Sequence, residues 1–218
     1  MPANNSQARV GLFVLGMHRS GTSALTGTLQ RLGAELGDNL LPARPDNPKG
    51  FWENADAMEI NEALLKNLGT TWSTPNRLPS EWLKTQAGLE AYGRAVALLE
   101  ANFSGSSLWG LKDPRICRLA PLWFKAAAAT GSRVACILIV RSPREVMASL
   151  QARDELPPSV SALLWLQHVL AAEFHSRGYP RLMVTYDQYS DPTFFNDIDK
   201  HDESDSKKRR FSLLPFRR

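Results

Sequence analysis

Val10-Gly11-Leu12-Phe13-Val14-Leu15-Gly16-Met17-His18-Arg19-Ser20-Gly21-Thr22-Ser23 sets the frame for the whole chain. Val10–Leu15 is a strand's length of apolar residues ending at a glycine, which reads as a buried strand. Thr22–Leu32 follows as a helix, with Leu25, Leu29 and Leu32 at helical spacing. Between the two, Gly16 and Gly21 stand at the spacing of a phosphate-binding loop. Glycine lets the backbone turn tightly, so that successive N–H groups face one anion, and the positive end of the following helix adds to the same point. The candidate ligand contacts are therefore His18, Arg19, Ser20, Gly21, Thr22 and Ser23. The loop departs from the nucleotide-hydrolase motif in one respect. Thr22 stands where that motif has lysine, and the positive side chain is Arg19.

Outward from this stretch, helices are expected over Asn54–Leu68, Gln86–Phe103, Ile116–Ala129 and Ser159–Ser176, with another opened by Pro143. Strands are expected at Ser107–Leu111, Arg133–Val140 and Arg181–Tyr186, the second being the strongest strand signal in the chain. Strands alternating with helices predict an α/β three-layer sandwich with a central parallel sheet of four to five strands. Strands that are apolar without alternation fit a sheet covered on both faces. Gly33–Gly50 reads as a long loop and Thr70–Ser80 as a polar, proline-bearing connection. The organisation expected is a polar leader over 1–8, one domain over 9–192 and a disordered basic tail over 193–218.

The chain has 218 residues, 43% hydrophobic and 22% charged, which fits one globular domain and excludes wholesale disorder. No apolar run reaches the roughly 18 residues of a membrane helix, and the first residues lack the basic and apolar regions of a secretory signal. Cys117 and Cys136 both lie in apolar surroundings, so buried free thiols and a reducing, cytoplasmic setting are expected. Of the net charge of +4, the stretch 199–218 carries +3, so the basic balance belongs to the tail and does not mark the body as a nucleic-acid binder. The basic-apolar end of the tail suits at most peripheral contact with an anionic membrane surface.

Two further segments carry chemistry. Arg141-Ser142-Pro143-Arg144-Glu145-Val146-Met147-Ala148-Ser149 starts at the end of the best strand, on the edge where ligands collect in open α/β sheets. Ser149 falls nearly two turns into the helix opened by Pro143, so Arg141 and Ser149 can converge on one anion. Trp109-Gly110-Leu111-Lys112-Asp113-Pro114-Arg115 follows a short strand and brings a lysine and a carboxylate to the same edge.

The segments GMHRSGTS and RSPREVMAS together resemble the sulfotransferases that use 3′-phosphoadenosine 5′-phosphosulfate (PAPS). The resemblance covers roughly residues 9–190 and implies the P-loop NTPase-like sulfotransferase fold. It implies that the first loop binds the 5′-phosphosulfate, and that Arg141 and Ser149 bind the 3′-phosphate. Arg19 stands where many members have lysine, and arginine is usual there in the tyrosylprotein and several bacterial branches. The Lys112-Asp113-Pro114 element is similar to that of the tyrosylprotein branch, where the lysine helps hold the sulfuryl group. The reaction implied is metal-free, in-line transfer of a sulfuryl group from PAPS to a hydroxyl or amine, with Arg19 and Lys112 at the sulfuryl group. Glu53 and Asp113 compete as the base. Glu53 is favoured, because Asp113 beside Lys112 and Arg115 is expected to stay ionised and to orient its neighbours. The acceptor is not identified; Phe51, Trp52 and Trp72 flank its expected side, and carbohydrate or lipid-linked hydroxyls are the candidates. A magnesium-ATP kinase or NTPase, and a non-catalytic member that binds the donor product, remain the alternatives. The tail lacks a counterpart of the residues that close over the 3′-phosphate in many members.

Overall fold

The strands Val10–Leu15 (β1), Leu108–Lys112 (β2), Arg133–Val140 (β3) and Arg181–Thr185 (β4) form one sheet in the order β2-β1-β3-β4, with every pair parallel. They are seen in a computed structural model that describes residues 9–44, 47 and 50–191. The helices are Thr22–Arg31 (α1), Ala55–Asn67 (α2), Gln86–Phe103 (α3), Ile116–Ala129 (α4), Pro143–Asp154 (α5), Pro158–Ser176 (α6) and Tyr186–Ser190 (α7), with one 3-10 turn at Trp82–Lys84.

Alternation along β1 divides the core between the two faces of the sheet. Phe13 and Leu15 point into the larger cluster, against Leu64 of α2, Leu99 of α3 and Leu119 of α4. Val14 points the other way, with Ile137, Ile139 and Val184, and meets Leu25 of α1. Helices therefore cover both faces, and the fold is the three-layer α/β sandwich expected of a P-loop-like chain. The sheet has four strands among the described residues. Both cysteines are buried free thiols, and burial pushes each up to about 12. Among the described residues, no helix is long and apolar enough to cross a membrane.

The element boundaries moved at a few points. The last strand stops at Thr185 rather than Tyr186, because Thr185 caps a short helix that the apolar pattern does not announce. Its hydroxyl accepts from Gln188 N–H while the Gln188 side chain accepts from Thr185 N–H, a capping box. The strand expected from Ser107 is shifted by one residue, to end on Lys112. The expected disordered tail over 193–218 and the leader over 1–8 lie outside the described residues.

Gly11 shows how tightly the sheet is packed. A Cβ there would sit 2.3 Å from the Trp109 ring. That ring cannot retreat: it stacks on Phe103 at 4.8 Å, meets Phe13 edge-on at 5.5 Å, and donates its Nε1–H to Ser132 Oγ at 3.1 Å. Gly11→Ala is expected to lower stability by about 3 kcal/mol, the upper range for overpacking, as read from the urea denaturation midpoint.

Candidate functional site

The C-terminal ends of all four strands carry polar groups, and these meet. β1 runs into the glycine loop, β2 ends on Lys112, β3 is followed by Arg141, and β4 is followed by Tyr186. This is the edge where open parallel sheets place their ligands. A cavity of about 510 Å³ opens there, lined by Arg19, Thr22, Ser23, Lys112, Arg141 and Tyr186 on one side. Glu53, Phe51, Trp72, Arg115, Arg44 and Arg153 line the other. That volume suits a nucleotide-sized ligand.

The loop is built by its glycines and by what holds them. Gly16 N–H donates to Cys117 Sγ at 3.2 Å, which ties the loop to α4. Gly21 has φ +88, and a Cβ there would meet the Tyr186 ring at 2.4 Å. Gly21 is also the N-cap of α1 and has no side chain to accept from the first turn, so those N–H groups remain available at the cavity. Gly21→Ala combines strained backbone with this clash. If the loop takes an anion, Gly21→Ala is expected to weaken that binding more than tenfold, as read by titration with inorganic sulfate.

Arg19 occupies the left-handed region at φ 67, which is costly for a side-chain-bearing residue. Two groups hold it there. Arg141 Nη1 donates to Arg19 O at 3.2 Å, and Arg19 Nε donates to Ser149 Oγ at 2.7 Å. Arg141 and Ser149 thus both converge on Arg19. Arg141 is further held by Glu145 at 3.0 Å, and its guanidinium lies over the Tyr186 ring at 4.4 Å. Ser149 and Ser20 are not among the residues that line the cavity, and the buried Ser20 hydroxyl makes no hydrogen bond.

Lys112 and Glu53 form a buried pair. Lys112 Nζ donates to Glu53 Oε1 at 2.6 Å, to Phe51 O at 2.9 Å and to Ser23 Oγ at 3.0 Å. The side chains are only 2% and 7% exposed. Glu53 immediately precedes Asn54, the residue that caps α2 through its side chain, so the helix start fixes its position. Burial raises the Glu53 carboxyl above the usual carboxylate range, and Lys112 opposes the rise.

Asp113 is fully buried and does not line the cavity. It accepts from Arg115 N–H and from Arg115 Nη1, each at 2.9 Å, and from Asn61 Nδ2 at 2.9 Å. Asn61 is fixed in turn by Trp123 Nε1 at 2.8 Å. Arg115 also bonds Glu62, and its Nη1 is 4.0 Å from Glu53 Oε2. Asp113 therefore does what a positioning carboxylate does: it sets the direction in which Arg115 faces the cavity.

The aromatic side is mixed. Phe51 and Trp72 line the cavity, whereas Trp52 packs beneath Gly27 of α1. Trp72 rides on a loop that the buried Arg118 of α4 holds through Thr71 O at 3.1 Å and Asn76 O at 2.9 Å. The His18 ring lies 4.4 Å from Trp72 and 6.3 Å from the His168 ring. Arg118, Asn61, Glu62, Arg153 and Arg44 carry no local motif that would have singled them out.

Both histidines are kept neutral. Burial chiefly lowers His18 well below its ordinary value, with Arg115 adding to it, and brings His168 down to about 4. In the unfolded chain a histidine titrates near pH 6.5. Between pH 6.5 and 4 the unfolded state therefore binds protons that the folded state refuses, and stability falls as pH falls through that window. His168 contributes a loss on the order of 3 kcal/mol across it. Urea denaturation at pH 7 and pH 4.5 is expected to show this slope in the native chain and a shallower one in His168→Gln.

No protein-family model matches the chain, and no curated protein matches it. Among solved structures it is similar to a Chloroflexus aurantiacus protein provisionally described as a kinase. The two share 17% identity over 91% of this chain and 98% of the other, with a TM-score of 0.41.

Proposed function

We propose that this chain is a sulfotransferase that moves a sulfuryl group from PAPS to a hydroxyl or amine. The observation that carries the reading is one cavity lined by three cations from three strand ends: Arg19 after β1, Lys112 ending β2 and Arg141 after β3. At the end of β3, where magnesium-dependent P-loop enzymes carry an aspartate, this chain has arginine. The open first turn of α1 also fits an anionic ligand.

In this reading Arg19, Lys112 and the N–H groups at the start of α1 neutralise charge gathering on the leaving phosphate oxygen. Arg141 holds the 3′-phosphate together with Ser149, which turns from Arg19 toward it. Glu53 accepts the proton of the acceptor hydroxyl as the new sulfur–oxygen bond forms and the bond to the phosphate breaks. His18 and the hydroxyls of Thr22 and Ser23 complete the loop contacts. Phe51 and Trp72 wall the acceptor side.

The test follows 3′,5′-ADP release from PAPS across a panel of carbohydrate, phenol and amine acceptors without magnesium, in parallel with ADP release from magnesium-ATP. Acceptor-dependent 3′,5′-ADP release supports the reading. Turnover of magnesium-ATP with none of PAPS replaces it with a kinase.

A further inference from the structure

We propose that Lys112 and Glu53 form an exchangeable pair: an anion taken by the glycine loop draws Lys112 off Glu53, and the freed carboxylate takes up a proton. The inference rests on the loop being an anion site, and it deepens the proposed function by coupling the proton on the base to the anion at the loop.

The argument starts from donor capacity. An ammonium has three N–H donors. All three of Lys112 are occupied, by Glu53, Phe51 O and Ser23 Oγ. Lys112 cannot reach an anion at the loop without giving one of them up. Ser23 lies on the first turn of α1 beside that anion, so the ammonium need not leave its hydroxyl to turn toward it.

Charge decides which bond is released. The groups facing Glu53 are Lys112 of β2, then Asp113 and Arg115, with Glu62 of α2 bound to Arg115. Two cations face three carboxylates, Glu53 and Asp113 buried and Glu62 39% exposed, so within this cluster no cation is left over for a further anion. A further anion at the loop, where Arg19 and Arg141 also stand, shares Lys112 with Glu53. Arg115 cannot take over, because Asp113 and Glu62 already occupy it and its nearest approach to Glu53 is 4.0 Å. Two like charges sharing one cation at close range favour protonation of one of them. Sulfate and sulfonate do not protonate near neutral pH, so the proton goes to Glu53. Protonated Glu53 is the form the base reaches once it has taken the acceptor's proton, so an anion left at the loop favours that product state.

The exchange is read by calorimetric titration of the full chain in two buffers of different ionisation heat, which counts protons taken up per ligand bound. The probes are inorganic sulfate, which does not itself titrate, and 3′,5′-ADP. The variants are Glu53→Gln, which keeps an oxygen for Lys112, and His18→Asn, since His18 is the histidine on the cavity wall. Circular dichroism checks that each is folded. Net proton uptake in the native chain that persists in His18→Asn and vanishes in Glu53→Gln supports the exchange. Equal proton counts in the native chain and Glu53→Gln overturn it, as does uptake that vanishes only in His18→Asn. Should Glu53→Gln fail to fold, the sulfate affinity of the native chain and of His18→Asn is compared between pH 6 and 8. A gain toward low pH approaching tenfold per unit in both supports the exchange, and a flat profile overturns it. Glu53-dependent uptake with sulfate but no binding of 3′,5′-ADP keeps the exchange and removes the PAPS reading. Failure of both probes to bind overturns the exchange with it.

Discussion

Replacing Lys112 by alanine is expected to lower stability by roughly 3–5 kcal/mol and, under the proposed function, to abolish turnover of PAPS. The stability loss comes from Glu53. Its carboxylate is 7% exposed, and Lys112 at 2.6 Å is its close cation, with Arg115 at 4.0 Å and already matched by Asp113 and Glu62. Removing one partner of a buried pair strands the other, which costs far more than the pair itself contributes. The diagnostic is the double variant Lys112→Met with Glu53→Gln. With both charges gone, most of the stability is expected to return, while turnover stays absent. Urea denaturation reads the first outcome and 3′,5′-ADP release the second. A Lys112→Ala chain as stable as the native one would mean that Glu53 and Lys112 do not depend on each other.

Under the proposed function, Arg141→Ala is expected to weaken 3′,5′-ADP binding at least a hundredfold, about 3 kcal/mol. Two contributions disappear together. One is the charge offered to the ligand. The other is the bond from Nη1 to Arg19 O, which steadies a residue held at φ 67. The surroundings of Arg141 are built to aim it: Glu145 and the Tyr186 ring hold the guanidinium, and Trp165 Nε1 binds its carbonyl at 3.0 Å. Ser149→Ala removes one hydroxyl contact and is expected to cost about tenfold. A loss in Ser149→Ala as large as in Arg141→Ala would show that Ser149 acts mainly by restraining Arg19.

The four strands were legible because each is a short apolar run bounded by glycine, proline or charge, and a sheet covered on both faces needs such runs. The loop was legible because Gly16 and Gly21 stand at a spacing that only a turn between strand and helix requires. Lys112 and Arg141 could be placed at the ligand edge from their positions at strand ends alone. The partners of these residues were not legible. Nothing near Ser149 in the chain indicates that it accepts from Arg19, 130 residues away. The same holds for Asn61, which joins Trp123 to Asp113, and for Arg118, which fastens the Trp72 loop. These are packing results, set by which helix lies against which strand end, and a single sequence carries no local trace of them. The short α7 escaped for a different reason. Thr185 and Gln188 cap a helix of five residues, too short to show a periodic apolar face.

The cavity's reading as a donor site is tested most directly by calorimetric titration of the native chain with 3′,5′-ADP in the absence of magnesium, beside magnesium-ATP. Micromolar binding of 3′,5′-ADP, much tighter than that of 5′-AMP and lost in Arg141→Ala, is the expected result. Tight binding of magnesium-ATP with no heat from 3′,5′-ADP would contradict it.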